Sequence, residues 1–421
     1  MSKEENRKNF SKYVSQNILG MIGFSCYVLA DSYFISIAKG ADGLTALNLV
    51  MPLYSIIFSI GEMIGVGSAI RYAISKIKKD ADADDYFWNA LIWCILSSML
   101  FVFAGIFFSA DIMRVLGADE HIVAVGNNYT KIFMCFAPMF MCNYVTNAFV
   151  RNDGAPGIAM SATLFSSLFN IVFDYILMFP MKLGMEGAAL ATALSPIIGM
   201  GICSIHFFSK KSSVRLVVCK PSVRKLVAGC QLGVSAFVGE MSSAVITLAF
   251  NFVILKLAGN VGVAAYGGVA NGVAQGSQPL ISSCFGRGDK DGCTQLKRMG
   301  YTTAFVLAAV MYSILFIFAG QFVAVFNSEG SEMLRLYATE GVKLYFIGIF
   351  FAGINIVGGG AFSATEDAFK AAVVSVARGF VLILGAVFVM SAFFGMTGVW
   401  LAYAVAEGIT TFIMLVMAMR V

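Results

Sequence analysis

Long stretches without a single charged residue limit most strongly what this 421-residue chain can fold into. Four of them contain no Asp, Glu, Lys or Arg: 86–110, 132–150, 187–209 and 299–328. A helix crosses the hydrocarbon core of a membrane with about 20 apolar residues. Because charged types make up only 13% of the chain, they could not cover the surface of a soluble protein. This composition excludes a soluble enzyme, a disordered chain and a nucleic-acid-binding protein.

Twelve apolar segments are long enough to cross a membrane as helices. They are 14–37, 46–72, 87–109, 123–149, 157–180, 187–208, 226–257, 261–285, 301–326, 336–361, 370–392 and 396–419. The runs are continuous, whereas the strands of a transmembrane barrel are short and alternate between apolar and polar residues. The predicted fold class is therefore an all-α polytopic membrane protein with twelve transmembrane helices. Prolines within three segments predict kinks: Pro138, Pro196 and Pro279.

Lys and Arg are distributed unevenly between the two sides that these spans define. Of the 29, 21 fall on the side that holds both termini, seven fall on the opposite side and Arg378 lies within a span. The seven are Lys39, Arg114, Lys131, Lys182, Lys256, Arg335 and Lys343. Cytoplasmic loops carry an excess of Lys and Arg. We therefore predict a multi-pass protein of the plasma membrane with both termini in the cytoplasm.

The longest basic linker divides the chain into two halves of six spans each. We predict an N-terminal lobe (1–208), a basic cytoplasmic linker (209–225) and a C-terminal lobe (226–421). The segment GMEGAALATA at 184–193 matches GMTGVWLAYA at 395–404, with six identities in ten at an offset of 211. Because six is an even number, both halves would enter the membrane from the same side. The prediction is two parallel repeats around a central cavity, an architecture for alternating access.

Five acidic residues lie at least six residues from either end of a predicted span, and a charged side chain in the middle of a membrane costs about 2.5–3.5 kcal/mol. They are Asp31, Glu62, Asp174, Glu240 and Glu407. Asp31 and Asp174 each lie about six residues, roughly 9 Å, from the outer end of their spans, and Thr192 lies at a similar depth. Asn170 is one turn below Asp174 on the same helical face. We therefore expect these four side chains to converge at one depth in the N-terminal lobe.

Two neighbouring carboxyl groups in a low dielectric cannot both stay ionised cheaply, so they take up a proton or bind a cation. Oxygen-only ligands suit a hard ion such as Na⁺. The predicted site for the coupling ion, H⁺ or Na⁺, is Asp31, Asn170, Asp174 and Thr192. Phe250 occupies the repeat-equivalent position of Asp31, so only one such site is predicted. The alternative for each residue is a structural contact between helices.

The other intramembrane charges allow two interpretations. Glu240, near mid-depth, either contacts a cationic substrate or pairs with a polar neighbour. Glu62 and Glu407 have the same two alternatives, and Arg378 is a plausible structural partner for Glu407. No GxxxxGK[ST] motif is present, so transport driven by an ATPase within this chain is not expected.

Three motifs carry a resemblance to a known family. The segment AFVRNDGAP (148–156) is similar to the loop between the fourth and fifth helices of the multidrug and toxic compound extrusion (MATE) transporters. Asn170 to Asp174, followed by GAALAT at 187–192, resembles the signature of their next two helices. GVAQGSQPLI at 272–281 resembles that of the eighth. The likeness extends along the whole chain.

The resemblance implies a secondary active antiporter that exports organic cations and drugs in exchange for H⁺ or Na⁺. It implies no cofactor, small cationic drugs and the lipid bilayer as partners, and a monomer. It places Asp31, Asn170, Asp174 and Thr192 in the cation site of the N-terminal lobe. Glu240, Glu62 and Gln278 are assigned to the substrate cavity.

Two departures from the family pattern stand out. The family often has a proline early in the first helix, but here that stretch is SQNIL at 15–19, so a mechanism that relies on bending there is in doubt. Many sodium-coupled members carry an Asp on the tenth helix, and FFAGINI at 350–356 has none. A second ion site in the C-terminal lobe is therefore not expected.

Two other functions were considered. Flippases for lipid-linked saccharides share the fold, but their central cavities are basic, whereas the intramembrane charges here are mostly acidic. An intramembrane enzyme would need a catalytic cluster such as DDxxD, HExxH or a Ser/His pair, and the sequence contains none. The chain is therefore predicted not to be an enzyme, and cationic cargo is favoured over lipid.

Overall fold

A computed structural model describes residues 3–253, 259–326 and 332–419, and these residues form helices and no strand. The elements are α1 (Lys3–Lys78), α2 (Asp85–Val115), α3 (Glu120–Cys135), α4 (Ala137–Asn152), α5 (Pro156–Met178), α6 (Met185–Phe207), α7 (Val223–Val253), α8 (Gly259–Gly286), α9 (Lys290–Ile317), α10 (Ala319–Phe326), α11 (Glu332–Tyr345), a 3₁₀ turn (Phe346–Gly348), α12 (Ile349–Ala364), α13 (Ala368–Val376), a π-helical turn (Ala377–Val381) and α14 (Leu382–Met419). The predicted all-helical class is confirmed for these residues. The end of the seventh predicted span (254–257), including Lys256, lies outside them.

Seven helices of the described residues are long and apolar enough to cross a membrane, or eight if the bent pair α3 and α4 forms one span. Two of these runs are longer than one crossing needs, since a helix rises about 1.5 Å per residue. The first, α1, has 76 residues and is broken at Gly40. The other, which includes α14, is broken at Gly395. The count of twelve spans stays a prediction.

Proline has different effects at its three predicted kinks. The axes of α3 and α4 differ by 46°, and Pro138 lies in the first turn of α4, directly after the break. A proline at that position is tolerated because the first turn lacks intrahelical partners for its N–H groups. Pro196 and Pro279 lie inside α6 and α8, which continue through them as single helices.

Two glycines that the repeat comparison aligned share one backbone conformation. Gly184, before α6, has φ 54° and ψ −127°, and Gly395 has φ 56° and ψ −134°. Such positive φ values are open to glycine at little cost because it has no Cβ. Gly40 in α1, which is aligned with neither of them, has a similar conformation (φ 59°, ψ −142°), so the predicted duplication stays a prediction.

Contacts along the chain group it into two compact units. The N-terminal unit comprises 19–237, and the C-terminal unit comprises the residues up to Ile18 together with those from Val238 onward. Helices α1 and α7 are therefore each divided between the two units. This grouping does not test the sequence-predicted lobes 1–208 and 226–421 with the linker 209–225, which stay a prediction.

Small residues allow close helix packing within the N-terminal unit. A Cβ at Gly67 would collide with the backbone of Gly229, and one at Gly233 would collide with the backbone of Met63. Helix α1 thus touches the first turns of α7 backbone to backbone. Small residues at such contacts are typical of membrane helices, where packing rather than water exclusion holds helices together.

One buried carboxylate ties the helix ends of the N-terminal unit together. Asp153, after α4, accepts hydrogen bonds from Tyr72 Oη (3.0 Å) and from the backbone N of Ser213 (2.8 Å). Its Oδ2 also lies 2.8 Å from His206 Nε2 at the end of α6, and both side chains are buried. Asp153 therefore joins α1, α4, α6 and the segment that follows α6.

Candidate functional site

Two buried carboxyl groups from different helices form the centre of the candidate site. Asp31 lies on α1 and Asp174 on α5, and both are buried in the N-terminal unit. They are close enough for the charge on Asp31 to act on Asp174. Like charges in a low dielectric repel one another strongly. Neutralising at least one of the two negative charges would therefore stabilise the pair.

Asn170 links this pair to α6. With its amide nitrogen facing Asp174, Asn170 donates to Asp174 Oδ2 at 3.1 Å. In the same orientation its carbonyl oxygen accepts from Thr192 N at 3.2 Å and from Thr192 Oγ1 at 3.1 Å. Both side chains are fully buried. The structure thus brings together Asn170, Asp174 and Thr192, as the helical spacing and the depth argument predicted, with Asp31 beside them.

Each carboxylate keeps one oxygen available. Asp31 Oδ1 and Asp174 Oδ1 are buried and have no hydrogen-bond partner among the described residues. An unsatisfied buried oxygen is costly, by about 1–3 kcal/mol. A proton or a hard cation would remove that cost, and the two free carboxylate oxygens are ligands of the kind that a hard cation prefers. Among the described residues, no three His, Cys, Asp or Glu side chains are gathered for a metal ion.

Two tyrosines next to the carboxylates were not predicted from the sequence. Tyr54 on α1 and Tyr129 on α3 are buried and share a hydrogen bond between their hydroxyl groups. The Tyr54 ring stacks on Phe133 with ring centroids 3.7 Å apart. Both hydroxyls lie within the electrostatic influence of Asp31 and Asp174. The available signal was a tyrosine inside an apolar span, which requires a partner for its hydroxyl.

Glu62 interacts with a different charge. It is buried on α1, in the N-terminal unit, and its charge acts on the buried guanidinium of Arg151 at the end of α4. This fits the sequence alternative in which Glu62 pairs with a polar neighbour. Its assignment to the substrate cavity stays a prediction.

The other two residues assigned to the substrate cavity lie in the C-terminal unit. Glu240 is half-buried on α7. Gln278 is buried on α8, and its Oε1 has no hydrogen-bond partner among the described residues. One turn further along α8, Ser282 Oγ is likewise buried without a described partner. A short polar strip therefore runs along α8, and the role of Glu240 and Gln278 in binding substrate stays a prediction.

The predicted partner of Glu407 is confirmed. Arg378, in the π-helical turn, donates from Nε to Glu407 Oε1 at 2.7 Å. Asn355 Nδ2 donates to the other carboxylate oxygen at 2.7 Å, and Thr411 donates to Asn355 Oδ1 at 3.0 Å. This network saturates the Glu407 carboxylate, in contrast to Asp31 and Asp174.

Comparisons of the sequence point to one family. Residues 17–176 and 235–389 match the family model MatE. The Multidrug export protein MepA of Staphylococcus aureus (strain MRSA252) is 27% identical over 414 residues, covering 93% of this chain and 89% of the relative. The protein of the same name from Staphylococcus saprophyticus is 26% identical over 409 residues, with the same coverage.

Solved structures share the fold over nearly the whole chain. One, described as the outward-facing conformation of a multidrug resistance MATE family transporter of the MOP superfamily, has a TM-score of 0.90 at 19% identity. A MOP superfamily transporter from Pyrococcus furiosus has a TM-score of 0.88 at 19% identity. Each alignment covers 99% of this chain and 96% of the other. At such identities the likeness shows the fold alone.

Proposed function

This chain belongs to the MatE family, and from that premise we propose that it is a secondary active multidrug efflux antiporter. It would export organic cations and drugs in exchange for H⁺ or Na⁺ by alternating access. The matching relatives that are named as multidrug export proteins support the export function. The family consists of transport proteins, so no enzymatic activity is proposed.

The observation that carries the proposal is the pair of buried carboxyl groups, each with one oxygen that no described residue bonds. A coupling ion must bind reversibly, and a saturated ion pair would leave it no place. Asp31 and Asp174 have a vacant acceptor each and repel one another, so adding one positive charge stabilises them and removing it destabilises them. A ligand shifts a conformational equilibrium only by its difference in affinity for the two states. Binding and release of the coupling ion at Asp31 and Asp174 is proposed to supply this difference in affinity between the two states.

The four residues of the site have distinct proposed roles. Asp31 and Asp174 accept the proton or ligate Na⁺. Asn170 holds Asp174 in position and links it by hydrogen bonds to Thr192, about two turns inside α6. If Na⁺ is the coupling ion, Asn170 takes the other amide orientation, in which its Nδ2 donates to Thr192 Oγ1 at 3.1 Å and its oxygen is free to join the carboxylates as a ligand. If it is H⁺, the same groups orient the carboxyl group that receives the proton.

The cargo site is proposed to be separate from the ion site. Glu240, Glu62 and Gln278 are the residues assigned to it, and their acidic and amide groups suit organic cations. Many methionines, 23 in the chain, provide flexible apolar side chains that adapt to cargo of different shapes. The protein is proposed to act as a monomer in the plasma membrane, with both termini in the cytoplasm.

The test is export of a fluorescent organic cation from proteoliposomes under separately imposed pH and sodium gradients. One gradient alone should drive export, and this identifies the coupling ion. Asp31→Asn and Asp174→Asn should abolish gradient-driven export while the protein still reconstitutes. The matched control is Asp111→Asn, which changes an exposed carboxylate at the end of α2 and should retain full activity.

Two results would contradict the proposal. Full gradient-driven export by either site variant would remove the carboxyl pair from the mechanism. Cation export that neither gradient drives would exclude an H⁺ or Na⁺ antiporter. A lipid flippase, the alternative from the sequence, gains no support from the names of the relatives, and the cation assay without lipid-linked cargo separates the two functions.

A further inference from the structure

The segment that connects α6 to α7, residues 208–222, is non-helical and is held against the N-terminal unit by its backbone. Near its start, Ser213 N donates to Asp153 Oδ2 at 2.8 Å. Two residues later, Arg215 N donates to Asp84 Oδ1 at 3.2 Å. Between these two bonds the Val214 side chain is buried. This half of the segment therefore has a defined position.

The second half is held by the start of α2. Ser222 N donates to Asn89 Oδ1 at 2.6 Å, and Asn89 Nδ2 donates to Cys219 Sγ at 3.1 Å. Just beyond the segment, Lys225 forms an ion pair with Asp85. Contacts before 216 and after 218 thus fix both ends of a short central stretch.

That central stretch exposes apolar side chains. Leu216 is 53% exposed and Val218 is 77% exposed, and Phe208 at the beginning of the segment is also exposed. At the beginning of α7, Val223 and Val227 are exposed one turn apart, and residues four apart share a helical face. An apolar surface therefore continues from the connecting segment onto the helix. The hydrogen bonds at either end hold these side chains outward.

Positive charge surrounds the apolar surface. The basic residues of the segment and of the first turn of α7 with exposed side chains are Lys210, Lys211, Arg215, Lys220 and Arg224. None of the five forms an ion pair with a described residue. The acidic residues that the segment contacts are already engaged, since Asp84 pairs with Lys76, Asp85 with Lys225 and Asp153 with His206. The exposed charges are therefore available to an external anion.

We propose that the connecting segment is a binding site for anionic lipid headgroups. The five basic side chains contact lipid phosphates, while Leu216 and Val218 enter the interfacial layer of the same leaflet. The segment lies where α6 ends and α7 begins, at the depth where helices leave the bilayer. Apolar residues among Lys and Arg fit a lipid surface because it offers an anionic layer over an apolar one. A free phosphate ion offers no apolar layer.

Lipid binding at this site would give the connecting segment a role as an anchor. It anchors the junction between the two predicted halves to one leaflet, because the segment is bonded both to the N-terminal unit and to the beginning of α7. The inference requires that α6 and α7 cross the membrane and does not depend on the chain exporting drugs. A binding measurement without transport can therefore fail or succeed independently of the proposed function.

The experiment places a tryptophan in the surface and measures its quenching by brominated lipids. The full-length Val218→Trp protein is reconstituted in nanodiscs of phosphatidylcholine alone or of equal parts phosphatidylcholine and phosphatidylglycerol, with acyl chains brominated near the headgroup. The unsubstituted protein gives the background of its three native tryptophans. We expect at least twofold stronger quenching in the phosphatidylglycerol discs, falling to the phosphatidylcholine value in about 1 M salt, where the Debye length is about 3 Å. Leu216→Trp should give the same result.

Charge variants test the headgroup contacts. A triple variant of the Val218→Trp protein should show the same quenching in the two kinds of disc. It carries Lys211→Gln, Arg215→Gln and Lys220→Gln. The matched control should preserve the difference in quenching between the two kinds of disc. It removes three exposed lysines from the predicted opposite side: Lys39, Lys131 and Lys182.

Four outcomes would overturn the inference, three in the quenching comparisons and one in a control with inorganic phosphate. The three are equal quenching in both kinds of disc, loss of the difference in the opposite-side control, and no quenching above the native background at position 218 or 216. Inorganic phosphate added to phosphatidylcholine discs distinguishes the sources of phosphate. It should leave the quenching at the phosphatidylcholine value. Quenching raised to the phosphatidylglycerol value would mean that a free anion suffices and that lipid is not the ligand.

Discussion

Arg378 donates from Nε to Glu407 Oε1 at 2.7 Å inside the C-terminal unit, and Asn355 donates to the second oxygen of the same carboxylate. The opposite charges are thus balanced, and the Glu407 oxygens are both occupied. Among the described residues, Asp31 and Asp174 of the N-terminal unit have no such cation, and each keeps an oxygen without a partner. A saturated charge suits a structural role, and an unsaturated pair suits reversible loading.

This contrast predicts that Arg378 and Glu407 determine stability. Arg378→Met leaves a buried carboxylate without its cation, which costs about 3–5 kcal/mol when one partner of a buried pair is removed. The double variant Arg378→Met with Glu407→Gln should be more stable than Arg378→Met alone, because the uncompensated charge is gone. Unfolding in mixed micelles measures both. A double variant as unstable as the single one would show that packing, not charge, explains the loss.

The shared conformation of Gly184 and Gly395 predicts a loss of stability on substitution by alanine. A positive φ combined with ψ near −130° is a sparsely populated region for any residue with a Cβ, and occupying it costs about 1–3 kcal/mol. Space is not the reason, since a Cβ at Gly395 would meet nothing within 4 Å. The midpoint of thermal unfolding in detergent should therefore fall for Gly184→Ala and for Gly395→Ala.

Gly201 on α6 and Gly385 on α14 provide the controls. A Cβ there would also meet nothing within 4 Å, and their φ values are not positive. Alanine in an exposed helix interior is favoured over glycine by about 1 kcal/mol. Gly201→Ala and Gly385→Ala should raise the midpoint slightly. A fall of equal size in all four variants would contradict the backbone explanation.

The hydrogen bond between Tyr54 and Tyr129 predicts an effect on ion binding. Tyr129→Phe leaves the Tyr54 hydroxyl without this partner, at a position that the charge of Asp31 influences. A lost hydrogen bond of about 1 kcal/mol corresponds to about a fivefold change. The concentration of coupling ion that half-saturates export should change by about that factor.

Tyr72→Phe is the matched control for Tyr129→Phe. It removes a hydroxyl of the same kind, bonded to Asp153 rather than close to Asp31. It should reduce stability and leave the half-saturating ion concentration unchanged. If both variants change that concentration equally, the tyrosine pair has no particular role in the ion site.

We expect the reaction of Cys219, in the connecting segment, with maleimide to depend on pH. Burial raises the pKa of the Cys219 thiol, and the Asp85 carboxylate raises it further, while Lys225 acts in the opposite direction. Only the thiolate reacts with maleimide, so labelling at neutral pH should be slow and should accelerate as the pH rises toward the raised pKa. The rate is measured in a variant that keeps Cys219 as its single cysteine.

Two substitutions test the directions in which Asp85 and Lys225 shift the pKa of the Cys219 thiol. Asp85→Asn removes a negative charge, lowers the pKa and should speed labelling at neutral pH several-fold. Lys225→Gln removes a positive charge, raises the pKa and should slow it. Labelling that is independent of pH, or that changes in the same direction in both variants, would contradict this electrostatic account.

The sequence predicted the parts that depend on helical period and depth. Asn170 and Asp174 are four residues apart and so share a face of α5. The next helix, α6, starts on the side of the membrane near which Asp174 lies, and this places Thr192 at a similar depth. The pairing of Arg378 with Glu407 followed from the cost of leaving either charge alone in the membrane. These predictions needed no tertiary coordinates because the membrane normal already orders residues by depth.

The parts that were missed depend on the rotation of helices about their own axes. Tyr54 and Tyr129 lie in spans that are apolar on all sides, so no periodic pattern indicates which face is inward. The partnership of His206 with Asp153 joins residues 53 apart in sequence, at a helix end where depth gives no information. Such contacts follow from how helices pack, which the apolar pattern leaves undetermined.

The hydrogen bond between Asp153 and Ser213 is one of three that would hold the protein together after a cut in the connecting segment. Ser213 is bonded to Asp153 and Arg215 to Asp84, whereas Ser222 is bonded to Asn89. A trypsin cut after Arg215 would therefore leave both new chain ends attached to the same body. The nicked protein should migrate as one particle in native gels and separate into two fragments only in denaturant, so the two halves of the chain could be produced as separate polypeptides and reassembled.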